Sequence, residues 1–449
     1  MRPLLLSTTL ALLTVSGCAS LAERHDASRQ AIAPQAALTL PPAFTRTTAK
    51  PPMSLANDPV LDALLAQVSA SPNVAIAQSR LIEARARLDA ARAGLLPSLS
   101  ATASFSGGSS DQASGTALTS IGPSLFIPID VFGANQSRAQ SARARAEEAA
   151  FIKDRTAAQT RATLYELYVA LRAAQAQIGV TQANQISATD SLSLAFARQR
   201  AGLETGLAVA QATSNRDAVA ARLPNFQQAE VAARLGIEAL LGKMPDTELI
   251  QLKDVKPIPR FDLSRVDVAP DQWLVTRADL AAAQRRLQAA GLEARAARRD
   301  RLPTLSLTAL ATQTDARRGP DGLSGTGSVN LLVTLFDFGR LDALARASGA
   351  IAVTEANLYR QVVVNAVADV ETQVSRVDLG QAAIVANDAN VASAQDQARL
   401  ARVRYTSGLS GFLDVLTAER AVFEAQSAAV EATRESALAE IALGLALGF

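Results

Sequence analysis

Histidine and cysteine carry much of the acid–base, nucleophilic and metal chemistry of proteins, and each occurs once in this 449-residue chain, as His25 and Cys18. That scarcity argues against a His-based triad and against a His/Cys metal cluster. Carboxylate pairs exist, but Glu147-Glu148 stand beside Arg143 and Arg145 within a helical stretch, where their spacing describes a solvated ion-pair face. No glycine-rich phosphate loop follows a strand, so any nucleotide hydrolysis must be done by a partner. Three methionines, Met1, Met53 and Met244, make no relay for copper. The chain is therefore not expected to be an enzyme or to hold a cofactor.

The chemistry that remains is at Cys18. Arg2 precedes an apolar run from Leu4 to Val15, and Val15-Ser16-Gly17 stand directly before the thiol. A positive charge, a short apolar segment and small residues make up a secretory signal over residues 1–17. The run is too short for a permanent membrane span. A lone cysteine in this setting resembles a bacterial lipobox, in which the thiol takes a lipid and becomes the mature N-terminus. Ala19 and Ser20 follow with no Asp, which by the same resemblance favours the outer membrane. One acyl chain anchors weakly, so firm attachment needs more chains or a protein span. Residues 18–56, with Pro41-Pro42 and Pro51-Pro52, read as an extended tether.

The elements beyond the tether are duplicated. Pro97-Ser98-Leu99-Ser100 recurs 206 positions on as Pro303-Thr304-Leu305-Ser306, and the same offset pairs Gly133 with Gly339, Gly202 with Gly408, and Arg198 with Arg404. This period is far too long for a solenoid. It defines a first repeat at 57–244, a proline-marked connector at 245–270 and a second repeat at 271–449.

Each repeat opens on helix and passes into alternating segments. In 98–106, Leu99, Ala101, Ala103 and Phe105 oppose a face of serine and threonine; 118–129, 303–313 and 326–335 alternate likewise. Segments of about 9–11 residues with period two have the length of tilted transmembrane strands. The intervening stretches, 107–117 and 314–327, read as Gly/Ser/Asp-rich loops. Phe126, Phe132, Phe336 and Phe338 are candidates for an interfacial belt, from which Trp273 is remote.

Proline-free stretches from Ala134 to Ala201 and from Arg340 to Tyr405 follow. At about 1.5 Å per residue, each is on the order of 100 Å of helix and needs lateral partners throughout. Each ends in a glycine turn, 202–206 or 406–411, from which a helix returns to about Leu241 or Leu447, with Pro224 kinking the first. Apolar residues are 49% of the chain but aromatics only 4%, which suits close side-by-side helices better than a thick globular core. The net charge of +2 and the lack of a basic, aromatic-interleaved cluster argue against nucleic acid.

Four strands cannot close a barrel, and an open edge in lipid costs several kcal/mol for each unpaired backbone group. Closed membrane barrels begin at about eight strands, so closure favours a homotrimer with twelve and leaves a dimer with eight as the alternative. The expected fold class is thus a long α-helical barrel joined to a transmembrane antiparallel β-barrel.

Here the chain resembles the TolC-like outer-membrane efflux channels, in the NodT-type lipoprotein branch that serves resistance-nodulation-division pumps. The resemblance rests on Val15–Cys18, Leu240-Leu241-Gly242, Arg277-Ala278-Asp279-Leu280-Ala281-Ala282-Ala283 and, most specifically, Arg404-Tyr405-Thr406-Ser407-Gly408 with Leu413-Asp414-Val415-Leu416. It implies a trimer whose helical tip meets a periplasmic adaptor bound to an inner-membrane transporter. It further implies that Tyr405 holds the closed end and that Asp414 points into the narrowing lumen, where three copies make a cation-concentrating ring. Ser410 and Ala208 depart from the pattern, which expects an arginine and an acidic partner there, and leave Arg404 or Glu204 to supply the latch. The exposed turns Gly202-Leu203 and Gly408-Leu409 are the expected adaptor contacts.

The function expected is passive conduction of small toxic compounds through a gated duct. Protein secretion through an ABC-type exporter is the alternative within the same fold. A periplasmic coiled-coil adaptor is the alternative outside it, and it leaves the four strands without a role.

Overall fold

Helix, strand pair, long helix and returning helix recur in each half at the 206-residue offset. The computed structural model describes residues 58–110, 113–244, 252–260, 276–316 and 322–448, all in one unit spanning Phe44–Phe449. The signal segment, Cys18, the tether with His25, Trp273 and most of the connector lie outside the described residues. The first half comprises α1 (Pro59–Gln67), α2 (Pro72–Ala93), β1 (Ser98–Ser110), β2 (Ala113–Ile129), α3 (Ala134–Arg200), α4 (Gly206–Ala220) and α5 (Leu223–Leu240). The second comprises α6 (Ala278–Arg299), β3 (Thr304–Ala316), β4 (Gly322–Leu332), α7 (Arg340–Thr406) and α8 (Phe412–Ala446). Both ends of α2, β1 and α3 map onto those of α6, β3 and α7 at that offset. The break at Ala221-Arg222, where α8 runs unbroken, precedes Pro224, which has no N–H to continue the helix.

The strands differ from the sequence expectation at both ends. β1 and β2 run through most of 107–117, and β3 and β4 through most of 314–327, stretches read above as loops. Pairing joins backbone to backbone, so it continues through Gly and Ser after the apolar signal has faded. At the other end β4 stops at Leu332 rather than Leu335, because its partner β3 begins at Thr304, just after Pro303, which has no N–H to donate.

The four strands form one antiparallel sheet in the order β1-β2-β3-β4. Its register puts like with like. Leu99 faces Leu125, Ala103 faces Ile121, Leu307 faces Ile127 and Val329, and Leu305 faces Leu331. The opposite face is hydroxyl-rich: Ser104 Oγ lies 2.7 Å from Ser120 Oγ, and Asn330 Nδ2 donates to Thr308 Oγ1 at 3.3 Å. Phe126 pairs with Ser98 and Thr308 and so falls on this hydroxyl face, not with the aliphatic residues of an interfacial belt. The aliphatic face is uncovered, with Leu99 74% and Val329 70% exposed.

Below the sheet, α3 is the hub, packed against α2, α4, α5, α6 and α8, whereas α7 packs mainly on α6 and α8. Twenty-one residues of α3 are buried but only seven of α7. The apolar residues left exposed on α7 include Leu344, Ile351, Leu358, Leu379 and Leu400. All five share one heptad phase, which Asn365, Thr372, Ala386 and Ser393 interrupt, so they form a broken apolar row along the helix.

Two buried guanidinium groups tie the middle together. Arg172, fully buried on α3, donates to Gln175 Oε1 and Tyr168 Oη, both at 2.8 Å, and to the Asp254 carbonyl. Gln175 also donates to the Leu252 carbonyl at 2.9 Å, which fastens this part of the connector to the first repeat. Arg277, the N-cap of α6, pairs with Asp279 at 2.8 Å and donates to the Ala446 carbonyl at 2.6 Å, fixing the start of the second repeat to its end.

Among the described glycines of the sheet, Gly122 lies nearest a neighbouring strand. A Cβ there would lie 1.7 Å from the Ala311 carbonyl oxygen, whereas one at Gly325 would meet nothing within 4 Å. Gly122→Ala is therefore expected to destabilise the sheet by about 1–3 kcal/mol or more, while Gly325→Ala is tolerated. Yields of heat-resistant protein refolded into detergent check this, and equal yields for the two variants would contradict it.

Candidate functional site

The ends of the two helical hairpins bring together the residues singled out by sequence. Both long helices stop in the same way. Gly202 (φ 73°) and Gly408 (φ 74°) adopt the left-handed conformation that glycine enters without strain. The next residues close the turns: Leu203 N–H donates to the Arg198 carbonyl at 2.9 Å, and Leu409 N–H to the Arg404 carbonyl at 2.8 Å. These bonds satisfy carbonyls that the helix ends leave free and turn the chain sharply. Leu203 and Leu409 are left 65% and 71% exposed. The first turns of α4 and α8 add Leu207 and Leu413, also exposed, which the repeat offset pairs but the motif reading passed over.

Tyr405 lies behind these turns and is completely buried, in a cluster with Leu192, Ala195, Ala212, Val415 and Leu416. Its ring meets Phe412 edge-on at 5.5 Å, and the Arg198 guanidinium sits over it at 4.6 Å. Its hydroxyl donates to Glu204 Oε2 at 3.0 Å, joining the turn of the first repeat to the long helix of the second. Burial pushes the pKa of that hydroxyl up to about 12, with Glu204 reinforcing the shift, so it stays a neutral donor. Ala208 is part of the same core, so Ser410 has no acidic partner there. Of Arg404 and Glu204, Glu204 is the one bonded to Tyr405, by a hydrogen bond rather than an ion pair. The Arg404 side chain is exposed, as is Asp414 in the first turn of α8, and neither joins the Tyr405 cluster.

A second tie, about two turns further from the tip, was not legible as a motif. The Glu419 side chain on α8, 10% exposed, accepts from Arg402 Nη2 on α7 at 3.0 Å and from the Ser191 hydroxyl on α3. Arg402 also donates to Ser191 Oγ at 2.9 Å. The other carboxylate oxygen, Glu419 Oε2, is buried without a partner. The 206-residue offset sets Phe196, Thr213 and Gln397 at the corresponding positions, so no repeat signal could have revealed the cluster. Burial raises the Glu419 pKa above the ordinary 4.5, with Asp190 adding to the effect and Ser191 and Arg402 opposing it.

A glutamate whose folded pKa is raised contributes stability below its unfolded value and loses that contribution as pH rises through the folded value. Local opening free energies of the tip, measured by hydrogen exchange, should therefore gain a contribution on acidification toward 4.5, and Glu419→Gln should remove it. An unchanged acid dependence in the variant would take Glu419 out of the tie.

Comparison with known proteins agrees with this architecture. The pattern of the family described as "Outer membrane efflux protein" matches the chain twice, over residues 63–243 and 269–449. The pyoverdine export outer membrane protein OpmQ of Pseudomonas aeruginosa is 28% identical over 413 residues, covering 87% of this chain and 85% of its own. Nodulation protein T of Rhizobium leguminosarum bv. viciae is 26% identical over 381 residues, covering 84% and 79%. Among solved structures, the outer-membrane channel OprN superposes with a TM-score of 0.84 at 25% identity, over 93% of this chain and 98% of that one. With both repeats matched, the chain belongs to the outer membrane efflux protein family, whose members are outer-membrane channels rather than enzymes.

Proposed function

We propose that this chain is the exit duct of a tripartite efflux assembly, passing small toxic compounds through a homotrimeric channel with a gated periplasmic tip. The observation that carries the reading is the sheet: one face aliphatic and uncovered, the other hydroxyl-rich, and both outer strands, β1 and β4, with a free edge among the described residues. Lipid against the aliphatic face and water against the hydroxyl face satisfy both, provided that copies of the chain close the ring. Three copies supply twelve strands. The exposed apolar residues of α7 support the same closure, since they give the helices an edge to meet a neighbouring protomer.

The tip is the adaptor-facing end in this reading. Leu203, Leu207, Leu409 and Leu413 offer small apolar contacts to a periplasmic adaptor, which links the duct to an inner-membrane transporter of the resistance-nodulation-division type. Tyr405–Glu204 and Arg402–Glu419–Ser191 hold the two hairpins together, and Asp414, exposed at the start of α8, faces the lumen as an acidic ring. The pyoverdine named for OpmQ favours small-molecule cargo over protein secretion. No cofactor is needed, and Cys18 carries the lipid that tethers the N-terminus to the outer membrane.

Two measurements bear on this. In planar bilayers the wild-type protein should give small, cation-selective openings, and Asp414→Ala should enlarge them or lessen their selectivity. Absence of conductance from a monomeric protein would sink the duct. Metabolic labelling with a palmitate analogue should mark the wild-type chain and not Cys18→Ala; equal labelling would remove Cys18 as the lipid site.

A further inference from the structure

The register of the sheet sorts charge as well as hydropathy. On the hydroxyl face, the described side chains of 98–105, 119–129, 304–315 and 322–332 include no Asp, Glu, Lys or Arg. The one charged residue in these segments, Asp315, pairs with Thr119 and so lies on the other face, at the far end of β3. The hydroxyls are partly occupied with one another and with carbonyls: Ser104 with Ser120, Ser100 with the Ser124 carbonyl at 3.4 Å, and Ser324 with the Thr312 carbonyl at 3.4 Å. Each keeps hydrogen-bonding capacity for water or a solute.

We infer that the membrane-crossing part of the duct is an electrically neutral, hydroxyl-lined sleeve that admits cationic, anionic and uncharged amphipathic solutes alike. This rests on the proposed orientation, hydroxyl face inward. A wall without fixed charge sets up no field to enrich one sign of ion. Its serines and threonines exchange hydrogen bonds with the polar edge of a passing solute of either sign. Discrimination by charge is then confined to the helical part of the channel, where exposed carboxylates and guanidinium groups abound.

Ser124 is the place to measure this. Along its own strand the nearest charge is Asp130, and from its β3 partner Leu310 it is Asp315. Five residues of strand span about 16 Å, about twice the Debye length of roughly 8 Å at physiological ionic strength. The experiment uses the full-length protein in liposomes, with Cys18 acylated or replaced by Ser. Ser124→Cys is modified from the outer side by two methanethiosulfonates of similar size, one bearing trimethylammonium and one sulfonate. The two rates are each divided by that of a small free thiol in solution.

A normalised cation-to-anion ratio within about twofold of unity is expected, with the control Leu125→Cys unreactive. A ratio beyond about fivefold in either direction at Ser124→Cys would overturn the neutral sleeve and leave the orientation standing. Reaction at Leu125→Cys with none at Ser124→Cys would overturn the orientation itself. Thr308→Cys, paired with Phe126 on the same face, replaces Ser124→Cys if that variant fails to assemble.

Discussion

Backbone N–H and C=O groups left unpaired in hydrocarbon cost several kcal/mol each, and among the described residues the sheet ends in two edges without a partner strand, along β1 and β4. Most of what surrounds the sheet is organised by that fact. The faces are already sorted within one chain, so assembly has only to join edges. In the proposed ring, the long helices leaving β2 and β4 through Gly133 and Gly339 run side by side beneath it. Their length then makes lateral packing, rather than a central core, the chief source of their stability.

The two repeats answer this demand unequally. α3 is surrounded by other elements of its own chain, whereas α7 keeps a row of leucines and isoleucine in heptad phase without cover. Equivalent positions have accordingly diverged. Arg172 corresponds to Asp378 and Arg277 to Ser71, so neither buried guanidinium is duplicated. Arg172 fastens the connector, which occurs once, whereas Arg277 adds to the second repeat a tie between its start and its end that the first repeat lacks. The tip shows the same divergence, since the Tyr405–Glu204 bond and the contacts of Ser191 with Arg402 and Glu419 join one hairpin to the other without a counterpart at the repeated positions.

Much of this could be read from the residues in order. Period-two alternation located the strands, the absence of proline located the long helices, and the offset between glycine turns gave the duplication. Strand ends escaped because hydrogen bonding along a ladder does not depend on side-chain polarity, as Gly107 and Gly108 in β1 illustrate. Phe126 lies on the hydroxyl face because register, not aromatic character, decides which side of a strand a residue takes. Tyr405 and Asp414 were both singled out from one motif, yet only Tyr405 is held by neighbours in the chain. The Arg402–Glu419–Ser191 cluster draws on three helices and on no repeated position, so only the folded arrangement could disclose it.

The two long helices are the same length, 67 residues each, and this constrains how the chain can change over generations. Deleting one residue from α3 alone would raise its turn by about 1.5 Å and swing everything beyond by about 100°. Glu204 would then miss Tyr405, and Ser191 would leave the Arg402–Glu419 pair. A whole heptad would restore the facing but still move the turn by about 10 Å, so insertions and deletions in the helical stem are tolerable chiefly when matched in both halves. The stem behaves as a pair of rulers, both cut to 67 residues, that can be recut only together.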